Sequence, residues 1–260
     1  MRSSSSSSSS SPILKSVHSF EKDSSLYLFL ASNNSNDDND PIAESSSSPS
    51  LSPFILSPYD SESDPIGKVV IDANSSSSES YLEVTESIAA RIEAHYALEN
   101  DGNQFVGGMG ENDGGVWFVS SKGDYWDTLD HWQLIRDVVH KVRQNRHGIP
   151  FGLLTSGRTQ TPEPDYASAE LATKLRYEIG LSSAEVTLGT GDPVSYGQLS
   201  GLKGEEANRA FGEVCNFIVL AAESGFPVRV AVAGGVHAGP GQSLAKACGA
   251  VDVTVYHDYK

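Results

Sequence analysis

The sequence predicts an α/β protein: a partial (βα)6 TIM-like barrel with a disordered Ser-rich N-terminal region. Three observations predict it. One unit occurs twice at identical internal spacing. His147-Gly148-Ile149-Pro150 leads into the apolar run Phe151–Thr155, and Ser224-Gly225-Phe226-Pro227 leads into residues 228–232. A helical pattern precedes each copy; the glycine ends that helix where φ must be positive, and the proline forces the following chain into extended conformation. Short apolar runs also alternate with helical patterns along most of the chain, as in a parallel sheet joined by crossover helices. The amino-terminal portion, by contrast, is dominated by serine tracts with too little apolar surface to order themselves. Ligands of parallel α/β proteins sit at the carboxyl ends of the strands, so those ends are where function is sought.

Residues 1–24 read as a disordered head with nine consecutive serines, Arg2 and Lys15, and no acidic residue before Glu21. That composition fits an organellar transit peptide or plain low-complexity chain, which leaves an organellar and a cytoplasmic location both open. Residues 26–31 form the first strand of a second region, 25–260. A low-complexity insertion at about 32–80 follows, broken by a minor strand at residues 69–71. A helix over residues 83–98 repeats Ile88, Ile92 and Tyr96 every four positions. Residues 116–119 are a strand. Asp127 is placed to cap the next helix and Asp130 to occupy its first turn. The stripe of that helix runs Trp132, Ile135, Val138 or Val139, and Val142, and it stops at Gly148. After Phe151–Thr155 come a helix over 168–179 ending at Gly180, a strand at 185–188 and a helix over 205–224. The strand 228–232, a short helix at 243–247 and a last strand at 251–256 complete the pattern. Six strands alternating with helices through right-handed crossovers curl into an open, partial barrel. A flat doubly wound sheet of the same elements is the alternative.

Composition narrows the function. A formal net charge of -16, with no basic stripe to offset it, argues against binding a phosphate backbone. No apolar run approaches the ~20 residues of a membrane span. The expected partner is therefore a small molecule or another protein, not nucleic acid or membrane. Cys215 and Cys248 are the two cysteines, too few for a disulfide framework or a CxxC metal site. Cys215 lies on a helical apolar face and reads as a small buried hydrophobe. His131, His140 and His147 share no common face and read as solvated. His237 lies in the glycine-rich stretch 234–241, whose backbone N–H groups suit an anion, although a flexible connector explains the same composition. No lysine at a strand end suits Schiff-base chemistry, and Ser156 is not in a nucleophile elbow.

The strand-end turns Ser120-Ser121-Lys122-Gly123-Asp124, Leu154-Thr155-Ser156-Gly157 and Thr187-Leu188-Gly189-Thr190-Gly191-Asp192 follow one another in a characteristic order. That order resembles the radical S-adenosylmethionine (SAM) superfamily, closest to its TatD-associated branch. Phe211 with residues 214–218 is similar to that branch's helix before strand five. The resemblance covers roughly residues 26–259 and rests on short motifs in sequence. It implies a SAM pocket at Ser120, Ser121, Gly123, Asp124, Thr155, Ser156, Gly157 and His257, with Asp124 in place of the family's glutamate. The asparagine usual in the fourth-strand turn is Gly189 here. The family's CxxxCxxC cluster motif is absent after the first strand, so a 4Fe–4S cluster is not expected; ligating iron needs thiolates. Without it the chain has no route to an adenosyl radical, and no catalytic residues are assigned. The leading expectation is a degenerate homologue that binds or regulates, with SAM or a nucleotide as its candidate ligand. A non-radical enzyme using Asp124, Thr155 and His257 on a small anionic substrate is one alternative. A structural interaction module is the other.

Overall fold

The computed structural model describes residues 14–22, 25–32, 69–72, 78–99, 115–120, 131–158 and 173–256. Its strands are β1 (Leu14–Lys22), β2 (Ser25–Ser32), β3 (Val69–Asp72), β4 (Val116–Ser120), β5 (Phe151–Thr155), β6 (Ser183–Gly189), β7 (Val228–Ala233) and β8 (Asp252–Tyr256). They form one sheet in the order β3-β1-β2-β4-β5-β6-β7-β8. The six strands β2, β4, β5, β6, β7 and β8 are all parallel and stand in chain order. β1 pairs antiparallel with β2 and with β3. An order that never reverses has no switch point, so the doubly wound alternative does not describe this sheet. Successive right-handed crossovers then place the connecting helices on a single face.

Those helices are α1 (Ser78–Glu99), α2 (Trp132–Asn145), α3 (Lys174–Ile179, a π-helical turn), α4 (Pro193–Ser200), α5 (Gly204–Glu223) and α6 (Ala238–Ala247). The period of two along each strand divides the sheet cleanly. Leu26, Leu28 and Leu30 of β2, Val116 and Phe118 of β4, and Phe151 and Leu153 of β5 face the helices. So do Val186 of β6 and Val230 of β7, and all join one core with Ile88, Ile92, Val138, Val142, Phe217 and Ile218. Burying each such side chain contributes about 2 kcal/mol. Tyr27, Phe29, Trp117, Val119 and Leu154 form a second cluster on the opposite, inner face. A polar seam joins α1 to α2: the Tyr81 hydroxyl donates to Asp137 at 3.0 Å, Lys141 pairs with Glu86 at 2.7 Å, and Asn145 donates to Glu93 at 2.7 Å. Both sets of positions ascend together, so the two helices run the same way, as consecutive βα units require.

Several elements differ from the sequence reading, each for a local reason. Leu14–Lys22, placed by composition in the disordered head, pairs as β1 because its partner β2 supplies the ladder. α1 starts at Ser78, inside the serine tract. α2 ends at Asn145 rather than running to Gly148, although Gly148 does take a positive φ of 100°. Asp127 and Asp130 lie outside the described residues, and α2 begins after His131 without a side-chain cap. His131 is buried rather than solvated; burial pushes its imidazole pKa down to about 4. His140 and His147 are exposed. The stretch around His237 is helical, not a loose connector: Gly235–His237 forms a 3-10 turn that runs directly into α6. Pro240 falls in the first turn of α6, where its missing N–H has no intrahelical acceptor to lose.

One device occurs at two strand entries. Arg143 of α2 donates to the carbonyl of Gly180, the left-handed glycine that ends α3. Arg176 of α3 donates to the carbonyl of Gly225, the left-handed glycine that ends the α5 segment. Each arginine thus braces the end of a later helix, just before a strand enters the sheet.

Candidate functional site

Chain order puts the carboxyl ends of β5, β6 and β7 side by side. At β5, the buried Thr155 accepts the Gly157 N–H on its Oγ1 at 3.0 Å, and Ser156 Oγ accepts from the Arg158 N–H at 3.4 Å. Two hydroxyl-mediated turns therefore close this strand end. A Cβ at Gly157 would meet Val186 Cγ1 at 3.1 Å and the Phe217 ring and Cβ at 3.5 and 3.6 Å. The turn thus lies flat on the core.

The ends of β6 and β7 interlock. Asp192 caps α4 by accepting the Val194 and Ser195 N–H groups at 3.0 and 2.9 Å. Those bonds hold its carboxyl below the usual carboxylate range. Thr190 Oγ1 lies 3.3 Å from His237 Nδ1, linking the β6 turn to the 3-10 turn after β7. A Cβ at Gly191 would meet the Pro240 backbone at 2.6 Å, and one at Gly241 would meet Val232 Cγ1 at 2.8 Å. α4 sits across this corner, with Tyr196 in the main core and Leu199 against Ala231 and Ala233 on the inner face.

Of the residues assigned by resemblance, Thr155, Ser156 and Gly157 form the β5 turn, and Ser120 ends β4 beside it. Ser121, Gly123, Asp124 and His257 lie outside the described residues. The two cysteines are free thiols, Cys215 on α5 and Cys248 just after α6. Burial pushes the Cys215 thiol up to about 12, so it is not a poised nucleophile. Among the described residues no group of three or more His, Cys, Asp or Glu side chains could hold a metal ion.

The inner face carries chemistry that the linear pattern does not reveal. One cross-strand row runs Phe29, Val119, Leu154, Glu185, Arg229, Asp252, apolar on three strands and charged on the next three. Tyr256, further along β8, donates its hydroxyl to Glu185 Oε1 at 2.9 Å, reaching across β7. Only the small side chains of Ala231 and Ala233 lie in its way, and Tyr256 packs on them. Glu185 keeps some solvent exposure, but protein surrounds its carboxyl. Burial raises its carboxyl above the usual range; the charge of Asp252 adds to that, while the Tyr256 bond and Arg229 oppose it. Tyr256 is raised as well, by burial first, then by Glu185 and by Tyr27 of β2. The signals for this cluster are Glu185 and Arg229, each the one charged residue of its strand. No family model matches the chain, and no curated protein is similar to it at a significant level.

Proposed function

We propose that the chain is a partial barrel of radical-SAM type that lacks the iron–sulfur cluster and serves as a binding or regulatory protein, with SAM or a related nucleoside as ligand at the strand carboxyl ends. The observation that carries this reading is the order of the six parallel strands, which brings three polar, glycine-containing strand ends together at β5, β6 and β7. The hydroxyl-closed turn at Thr155–Gly157 is a strand-end edge of the kind a nucleoside packs against. The donor set does not suit a cluster: two free thiols, one on α5 and one just after α6, cannot supply three sulfur ligands after β2. No radical step is therefore assigned to it.

Calorimetry and thermal-shift measurements with SAM and with adenosine test the proposal. The expected result is saturable heat at one site per chain, with the affinity weakened at least tenfold by Gly157→Val. Absence of heat and of any shift at millimolar ligand would reduce the chain to a scaffold. Stoichiometric iron and sulfide in protein purified without oxygen would overturn the loss of the cluster.

A further inference from the structure

We propose that Glu185 and Tyr256 form a proton-operated latch that holds the edge strand β8 onto the sheet. Among the described residues β8 has one strand neighbour, β7, and forms the margin of the sheet. Its side chains are only partly buried, unlike those of β5 and β7. The 2.9 Å bond from Tyr256 to Glu185 ties this margin to β6, the next strand but one, across Ala231 and Ala233. It therefore reinforces a ladder that is otherwise single-sided.

The groups facing Glu185 define how the latch responds to protons. Arg229 is its register partner on β7, Asp252 lies beyond Arg229 on β8, and Tyr256 is its hydrogen-bond donor; Leu154, its register partner on β5, is apolar. Tyr27 of β2 adds to the upward shift of Tyr256. With Glu185 neutral, the Arg229 and Asp252 charges balance and the carboxyl is buried without the desolvation cost of a charge. Ionisation adds a negative charge in a place that water barely reaches, and peeling β8 away hydrates it. The sign follows from the direction of the shift. The closed state holds the proton more tightly than the open one, so closure is fully favoured below the ordinary carboxylate range. It is lost progressively as pH rises through the raised value.

Amide hydrogen exchange of Val253 to Tyr256, referenced to the amides of β4 in the same sample, tests the latch between pH 5 and pH 8. Opening of β8 relative to β4 is expected to rise by up to about tenfold per pH unit until Glu185 is fully ionised. Glu185→Gln keeps an acceptor for Tyr256 but cannot ionise, so its profile is expected to be flat. Tyr256→Phe keeps the ring on the alanines and removes the donor; it is expected to open β8 at every pH and to extend the sloping region upward. A wild-type ratio independent of pH, or an E185Q ratio with the wild-type slope, overturns the proposal. Carbon-13 NMR of the Glu185 carboxyl in the wild-type chain decides the matter should E185Q fail to fold. A midpoint in the ordinary carboxylate range overturns the latch, and a midpoint above it supports the latch.

Discussion

Gly152 in β5 exists for the sake of Trp117. A Cβ there would stand 2.5 Å from the indole carbons Cε3 and Cζ3, so the ring of Trp117 lies directly over the Gly152 backbone. The two residues are register partners on β4 and β5, and the indole is almost fully buried on the inner face. Gly152→Ala forces the indole out of its place; overpacking of this kind costs about 1–3 kcal/mol. Urea denaturation should show that loss, and the near-ultraviolet dichroism of the tryptophans should change with it. His131 allows a second prediction at this scale. Its buried imidazole stays neutral until about pH 4, whereas the unfolded chain takes up the proton near pH 6.5. The unfolded state thus binds more protons between those values, and stability falls as pH drops through that window. About 2 kcal/mol should disappear between pH 7 and pH 5 for this reason. Denaturation curves of the wild type and of His131→Asn at both pH values check it; the variant should lose much less.

At the scale of elements, the corner between β6 and α6 is built on close approach. Gly191→Ala would drive a methyl group into the Pro240 carbonyl at 2.6 Å, where backbone rather than a flexible side-chain tip must move. Gly212, exposed on α5 with nothing within 4 Å of where a methyl group would stand, is the matching control. G191A should destabilise by about 1–3 kcal/mol, and G212A should stabilise by up to about 1 kcal/mol. Thermal and urea unfolding of the two variants check the opposite signs. The elements themselves are largely legible in the sequence. Glycine and proline punctuate the starts of β5 and β7 so regularly that both strands can be read to within a residue. The amino end of α6 cannot, because Gly239, Pro240 and Gly241 all read as helix breakers; one proline in a first turn is harmless, and Gly241 is required by Val232. The braces from Arg143 to Gly180 and from Arg176 to Gly225 join residues 37 and 49 positions apart, and nothing in a linear pattern announces them.

For the molecule as a whole, the six parallel strands are legible and the curvature is not. Alternation of strand and helix dictates a parallel sheet, but it does not encode how strongly that sheet curls. The candidate site divides in the same way. Thr155, Ser156 and Gly157 can be named from sequence because turns are local and carry their own signature. Glu185, Arg229, Asp252 and Tyr256 cannot, because their proximity depends on cross-strand register, which a single strand does not encode. Glu185 and Arg229 are nonetheless visible as charged interruptions in their strands, and such interruptions are where a parallel sheet keeps its buried chemistry.

The seam between β2 and β4 has a kinetic consequence. Ser25 and Gly115, which meet across it, are 90 residues apart. Bringing such distant points together costs roughly 4 kcal/mol of chain entropy, against about 3 kcal/mol for joining β7 to β8, where register partners such as Arg229 and Asp252 are far closer in the chain. Local contacts reward the chain sooner than remote ones. Within the parallel sheet the carboxyl half is thus the natural nucleus, and the seam that joins the β1–β2 hairpin to β4 closes after it.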